Sequence, residues 1–386
     1  MKLTAFHPLL AIVVGWGNDK NKPTGGQHRP TQVEIPFNEF GELSHSQLQH
    51  IQSTVFHDKK ANPGEIGGLI VTPDGRELLA VTANAQFLSL RLADRRDNLF
   101  EIEKLWRHEM LNIEGEVMTQ DECSPWGLTT GAVYGGSVKG DFYVTCANNP
   151  GIGLQVPDPC ITLRFKDNAV SDVALASVWE SCETNPAMTA VLKLREYEDA
   201  VLLVVYYEWI EANPSFSGVA VPTGSTVDGV KVLTIVMHGD YQLVSMSQFN
   251  NGDVMMLLNK PNAPEGNREM IIAYSTAADV SAAVHLLSPL SPKVLLRLRE
   301  TDGVPAPGAR FIQFILHRFT LRCYHTLSND FRPWYNIGDV KGLAIQEDPK
   351  TGRSFIYIIG NIYNHAENRL EMQLAKYAWT PKVKSE

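Results

Sequence analysis

The sequence predicts an all-β protein: a seven-bladed β-propeller of four-stranded antiparallel blades, with six blades as the alternative. Two observations carry this expectation. Apolar runs of about four to six residues, too short for helices, alternate with turn formers such as Pro73-Asp74-Gly75 and Asn148-Asn149-Pro150-Gly151. In such turns Pro presets one backbone dihedral and Gly supplies a positive one. A unit of roughly 50–55 residues, mostly four such runs, then recurs about seven times. Radially stacked blades bury both faces against their neighbours, which accounts for unbroken Val/Ile/Leu runs. Two packed β-sandwiches are the competing architecture.

In chain order, the first unit contains Leu9–Val14 and Gln32–Phe37, then Gln47–Phe56 as a strand or a short helix. The second, which shows the meander most plainly, runs through Leu69–Val71, Leu78–Val81, Phe87–Leu90 and Phe100–Trp106. The third gives Trp126–Thr129, Asp141–Cys146, Cys160–Phe165 and Val173–Trp179; the fourth gives Ala190–Leu194, Ala200–Tyr207, Val219–Val221 and Val230–Met237. The fifth holds Tyr241–Gln248, Val254–Leu258, Glu269–Tyr274 and Ala283–Leu287, and the sixth Val294–Arg299, Phe311–Leu316, Thr320–Tyr324 and a segment near Trp334. The seventh has Gly342–Gln346, Phe355–Ile359 and Arg369–Trp379. It lacks a fourth strand and the first unit lacks an innermost one, so the expectation is one domain, residues 1–386, whose termini meet in one blade and close the ring. No long helix is expected.

Bulk chemistry narrows the partners. The 386 residues are 44 % hydrophobic and 20 % charged, ordinary for a protein with a large core. A net charge of −9 argues against nucleic acid or an anionic membrane as the main partner. No apolar run approaches the ~18 residues of a membrane span. His7-Pro8 interrupts the apolar run that would precede Leu9–Val14, so that segment reads as a core strand rather than a secretory signal. The odd count of five cysteines, without CxxC spacing, then favours reduced thiols in the cytosol and gives no support for zinc. Were the protein secreted, Cys146–Cys160 or Cys123–Cys182 would be the disulfides to expect. A small-molecule substrate and a monomer are the remaining expectations.

The run PDGRELLAVTANAQFLSLRL resembles a blade of the lactonase-like and YVTN-type propellers, in which a PDG turn precedes a strand that ends in Asn. The run DPKTGRSFIYIIGN looks like the variant with a D-P-x-T-G-R turn. The resemblance covers two blades and implies the architecture; gluconolactonase-type members use metal chemistry, which it also allows. The WD and Gly-His signatures of WD40 repeats are absent.

In a propeller, the loops between second and third strands and the loops between blades share one face, around the channel mouth. Asn84, Asn148, Asn259 and Asn361 stand at second-strand exits, and Asn18 follows the first unit's opening strand. Turn chemistry alone explains Asn there. The functional alternative is a ring of amide oxygens which, with Glu65, suits Ca²⁺ or Mg²⁺: Glu65, Asn84, Asn259 and Asn361 are the candidate metal ligands. Glu122, Glu183 and Asp339 are further carboxylates on blade-to-blade loops. His238, oriented by Asp240, is a candidate general base, so His238, Asp240, Asp339 and Glu122 form the candidate catalytic set. Trp126, Asn148, Tyr207, Trp334, Tyr335, Tyr363 and His365 fall at mouth loops and are candidates for substrate binding, the aromatic rings as a stacking shelf. No Gly-x-Ser-x-Gly elbow or Walker loop is present. The expected function is a small-molecule enzyme, a lactonase-like hydrolase or a metal-free isomerase or cyclase. The alternative is a non-catalytic propeller that binds a glycan or a protein.

Overall fold

The structure is a computed structural model that describes residues 31–35, 48–58, 64–147, 160–175, 188–195, 201–208, 215–222, 231–236, 241–260, 263, 267–300, 338–349, 351–364 and 367–379. The first segments are β1 (Thr31–Ile35) and β2 (Leu48–His57). Four four-stranded antiparallel sheets follow. The first is β3 (Ile66–Val71), β4 (Glu77–Thr82), β5 (Gln86–Asp94) and β6 (Phe100–Glu109). The second is β7 (Ser124–Thr130), β8 (Asp141–Ala147), β9 (Cys160–Lys166) and β10 (Ala169–Leu175). The third is β11 (Met188–Leu194), β12 (Val201–Glu208), β13 (Ser215–Pro222) and β14 (Lys231–Ile235). The fourth is β15 (Gln242–Gln248), β16 (Val254–Asn259), β17 (Glu269–Ser275) and β18 (Lys293–Arg299), with α1 (Ala277–Leu286) inserted before β18. A fifth, five-stranded sheet has the order β1-β2-β21-β20-β19, from β19 (Asp339–Glu347), β20 (Ser354–Asn364) and β21 (Arg369–Trp379) with the two N-terminal strands.

The innermost strands close a ring: β3 packs on β7, β7 on β11, β11 on β15, β15 on β19, and β19 on β3. The approach is tight where side chains are missing. A Cβ on Gly67 would lie 2.3 Å from the Trp126 carbonyl oxygen, and one on Gly68 would lie 2.4 Å from the Leu128 nitrogen. An inner strand has a free edge whose N–H groups need partners, and the neighbouring blade supplies them. Lys193 N donates to Thr129 Oγ1 at 3.2 Å, Arg195 N to Gln248 Oε1 at 2.9 Å, Leu343 N to Ser245 Oγ at 3.0 Å and Ile66 N to Asn361 Oδ1 at 2.7 Å.

The core lies between facing sheets. Ile70, Val81 and Phe87 of the first sheet pack with Phe142, Val144 and Phe165 of the second. Leu78, Leu88 and Leu90 meet Tyr357, Ile359 and Leu374 of the fifth. The PDG turn forms as its composition dictates: Asp74 Oδ1 accepts from Thr72 Oγ1 at 2.6 Å and from Arg76 N at 3.1 Å, and Gly75 takes φ 71°.

All-β architecture and four-stranded antiparallel blades hold; the count of seven or six does not, because among the described residues the inner strands of five sheets close the ring. Two expected units dissolve. β1 and β2 are not a blade of their own but continue the fifth sheet through the β2–β21 pairing. Val294–Arg299 does not open a sixth unit: it lies in β18, which pairs with β17 as the outer strand of the fourth sheet. The segment expected as that strand, Ala283–Leu287, overlaps α1 instead. There Thr276 and Asp279 form a capping box, and Val280, Ala283 and Val284 are buried at helical spacing. Leu9–Val14, Phe311–Leu316, Thr320–Tyr324 and Trp334 lie outside the described residues.

The cysteine expectation also changes. Cys123 and Cys146 form a disulfide, with Cα atoms 5.0 Å apart. It is neither of the two pairings drawn from the spacing. Across the β7–β8 pair, Pro125 faces Cys146 and Ser124 faces Ala147, so the residue just before β7 comes beside the end of β8. No helix among the described residues is long and apolar enough to cross a membrane.

Candidate functional site

The N-terminal ends of the inner strands meet at one mouth of the channel. Lys341, third in β19, is only 8 % exposed. Its ammonium lies 2.6 Å from Glu65 Oε2, just before β3, and 3.0 Å from Asp339 Oδ2 at the start of β19. It also lies 4.4 Å from the centre of the Trp126 ring on β7, a cation–π contact. Burial works against the charged form of Lys341, but Asp339 and then Glu65 outweigh it, and the net effect raises its pKa. The ammonium is therefore a fixed charge at any working pH. The carboxylates it ties together stay half open, with side chains 58 % exposed for Glu65 and 40 % for Asp339.

Asn259, the last residue of β16, joins this group. Its Nδ2 donates to Val340 O at 3.0 Å and to Asp339 Oδ1 at 3.2 Å. Its Oδ1 is buried and accepts no hydrogen bond among the described residues. Asn361 on β20 is fully engaged. Oδ1 accepts from Ile66 N, and Nδ2 donates to Gly64 O at 3.3 Å. Two of the Asn residues at second-strand exits therefore bind the next blade's inner strand, a role that is neither local turn chemistry nor metal ligation. Asn84 sits exposed in the β4–β5 turn, its side chain against Gly64.

Glu65, Asn84, Asn259 and Asn361 do not fit a divalent cation. Asn361 has given its oxygen to a backbone N–H, Glu65 is paired with an ammonium, and the described residues contain no cluster of three His, Cys, Asp or Glu able to hold a metal. Of the candidate catalytic residues, Asp339 is at the mouth. Glu122 instead caps its own turn, where its Oε2 accepts from Thr119 N at 2.6 Å and from Thr119 Oγ1 at 2.9 Å. Trp126 is in the site. Tyr363, 36 % exposed near the end of β20, bonds Asn368 across the hairpin end. Tyr207 is on β12, opposite Phe216. His238, Asp240, Asn148, Trp334, Tyr335 and His365, together with Asn18 and Glu183, lie outside the described residues.

Lys341 is the residue that sequence reading missed. The signal was available: in DVKGLAI a charged residue interrupts an otherwise apolar inner strand two places after Asp339. A lysine in a buried strand calls for an acidic partner.

Below the mouth the channel narrows between the inner strands. There the inner strands leave a space of about 40 Å³, lined by Leu69, Leu128, Leu192 and Met246 together with polar Thr129, Lys193, Arg195 and Gln248.

Neither known protein-family profiles nor curated proteins give a match to this sequence. Among solved structures the chain is similar to an endo-arabinase from Bacteroides thetaiotaomicron, at 10 % identity and TM-score 0.41, covering 84 % of this chain and 96 % of that one. It is also similar to a mannose phosphorylase from Leishmania mexicana, at 9 % identity and TM-score 0.36, covering 82 % and 85 %. A third is the tail fibre of a Staphylococcus aureus phage, at 11 % identity and TM-score 0.37. There the overlap covers 90 % of this chain but only 55 %, about half, of the tail-fibre chain. The overlap is loose in all three, and the lactonase-like resemblance has no counterpart among them.

Proposed function

We propose that the chain is a hydrolase acting at this mouth on a small polyhydroxylated ring, a sugar or a sugar-derived lactone, by metal-free general acid–base chemistry. The observation that carries the reading is the Glu65–Lys341–Asp339 group beside Trp126 and Asn259 Oδ1, which accepts no hydrogen bond among the described residues. Half-exposed carboxylates accept hydrogen bonds from hydroxyls, and an indole beside them gives a ring apolar surface. A buried acceptor left without a donor costs about 1–3 kcal/mol, which a ligand hydroxyl on Asn259 would recover. In lactone hydrolysis Asp339 takes the proton of the attacking water. The ring C–O bond breaks, and the proton passes on to the leaving alkoxide. Glu65 holds substrate hydroxyls. Lys341 spends its donors on the two carboxylates and the Trp126 face, so it is a positioning residue that fixes where both carboxylates stand.

The same saturation of Lys341 favours a second reading, a mouth that binds a glycan without turning it over. The isomerase or cyclase reading rested on an aromatic-lined dry pocket in which a His and a carboxylate move protons, and its candidates His238, Trp334, Tyr335 and His365 lie outside the described residues. A panel of aryl glycosides and sugar lactones, assayed with EDTA present, separates these. For the hydrolase, wild type turns over at least one substrate in EDTA and Asp339→Asn loses about 10²-fold or more. Lys341→Met falls similarly, while Lys341→Arg recovers part of the rate. Binding without turnover, unchanged by Asp339→Asn, leaves only the glycan reading. Neither binding nor turnover of any member overturns both.

A further inference from the structure

At the opposite ends of β3 and β19, away from the mouth, the first and fifth sheets part to form a cleft of about 470 Å³. That size lies in the range of small-molecule sites, roughly 300–1,000 Å³. Its floor is Phe355, Tyr357 and Lys376, all at most 5 % exposed. Its rim is the PDG turn with Arg76, the β5–β6 connection with Asp94, Arg95 and Asn98, and the β19–β20 turn with Asp348 and Pro349.

Lys376 is the unusual feature. Its ammonium donates to Asn98 O at 3.0 Å and sits 4.3 Å from the Phe355 ring centre and 5.5 Å from that of Tyr357. Among the described residues it forms no salt bridge with a carboxylate. Burial lowers its pKa, and Asp94 offsets this only from a distance. A buried cation that meets only a carbonyl and two ring faces is under-compensated. A carboxylate entering the cleft would supply the missing partner.

The rim has the opposite sign. Three carboxylates, Asp74, Asp94 and Asp348, stand against two guanidiniums, and Arg95 is already paired with Glu101 at 2.6 Å. A dianion such as phosphate would have to pass this acidic rim, whereas a ligand with a carboxylate at one end and an ammonium at the other matches both layers. We propose that this cleft binds an amino-acid-like zwitterion, with its carboxylate on Lys376, its ammonium toward Asp94 and the acidic rim, and an apolar body against Phe355 and the rim prolines. The site is separate from the mouth and needs neither reading given above for it.

Calorimetry on the full chain, with phenylalanine, phenethylamine, N-acetylphenylalanine and inorganic phosphate as probes, tests this. Phenylalanine is expected to saturate the protein at or below about 1 mM and to bind more tightly than the other three. Lys376→Met should weaken it at least about tenfold. Asp94→Asn changes an exposed side chain and leaves the core intact; it should weaken phenylalanine several-fold and spare N-acetylphenylalanine. No saturable binding of phenylalanine, equal binding of phenethylamine or phosphate, or unchanged affinity in Asp94→Asn would each overturn the proposal.

Discussion

At the residue scale, buried charges in this molecule differ in how they are compensated. Lys341 is held by two carboxylates and keeps its charge, so the mouth stays electrostatically organised across the physiological range. Two histidines behave in the opposite way. His108 is 5 % exposed on β6, and His50 on β2 lies edge-on to Tyr377 with ring centres 5.2 Å apart. Burial lowers both from 6.5 to about 4. The folded state therefore favours neutral imidazole, while the unfolded chain takes up protons as pH falls below 6.5. Their contribution to stability is complete above 6.5 and is lost as pH falls toward 4. Urea midpoints for wild type should drop over this interval, and the His50→Phe, His108→Leu double variant should show a flatter profile. Equal slopes would show that other groups carry the acid sensitivity. Neither histidine was a candidate for chemistry in the sequence reading, and their burial gives them a structural role.

At the scale of elements, the inner strands do most to place the site. Gly67 and Gly68 let β3 lie backbone to backbone against β7, which brings Glu65 and Trp126 to the same mouth. Gly67→Ala puts a methyl group 2.3 Å from a carbonyl oxygen that no rotamer change can move. It should cost about 1–3 kcal/mol, read as a lower denaturant midpoint at unchanged m. A wild-type midpoint would show that β3 and β7 have slack between them. These elements were largely legible in the sequence. Apart from β10, which starts four residues before the expected Val173–Trp179, the strands of the first, second and third sheets fall close to the expected runs, because four- to six-residue apolar runs between turn formers have few other readings. Helix α1 was not legible, since Ala277–Leu286 is apolar nearly all round, with little contrast between faces to mark a helical period, and its Thr276–Asp279 cap is a two-residue signal. The Asn residues were legible as positions but not as partners. Asn361 and Asn259 bond strands of the next sheet, and a linear pattern does not reveal which backbone group stands opposite an amide.

At the scale of the whole molecule, counting strands was less informative than knowing how the ring closes. Sequence periodicity counts apolar runs, and β1, β2 and β18 are true strands that belong to sheets other than the ones their order suggested. The last sheet draws β2 beside β21 across almost the entire chain length, a pairing no local signal encodes. The Cys123–Cys146 disulfide shows the same limit in miniature, because it follows from the register of β7 against β8 rather than from cysteine spacing. Among the described residues the ring closes on five sheets, which brings Glu65, Trp126, Asn259, Asp339 and Lys341, from four different blades, to one mouth. The most direct test of that convergence is the crystal structure of Asp339→Asn soaked with the sugar or lactone the wild-type protein binds best. The ligand ring is expected against Trp126, with hydroxyl oxygens about 2.6–3.2 Å from Glu65 and from Asn259 Oδ1. A ligand bound elsewhere, or a metal ion between Glu65 and residue 339 with Lys341 displaced, would contradict it.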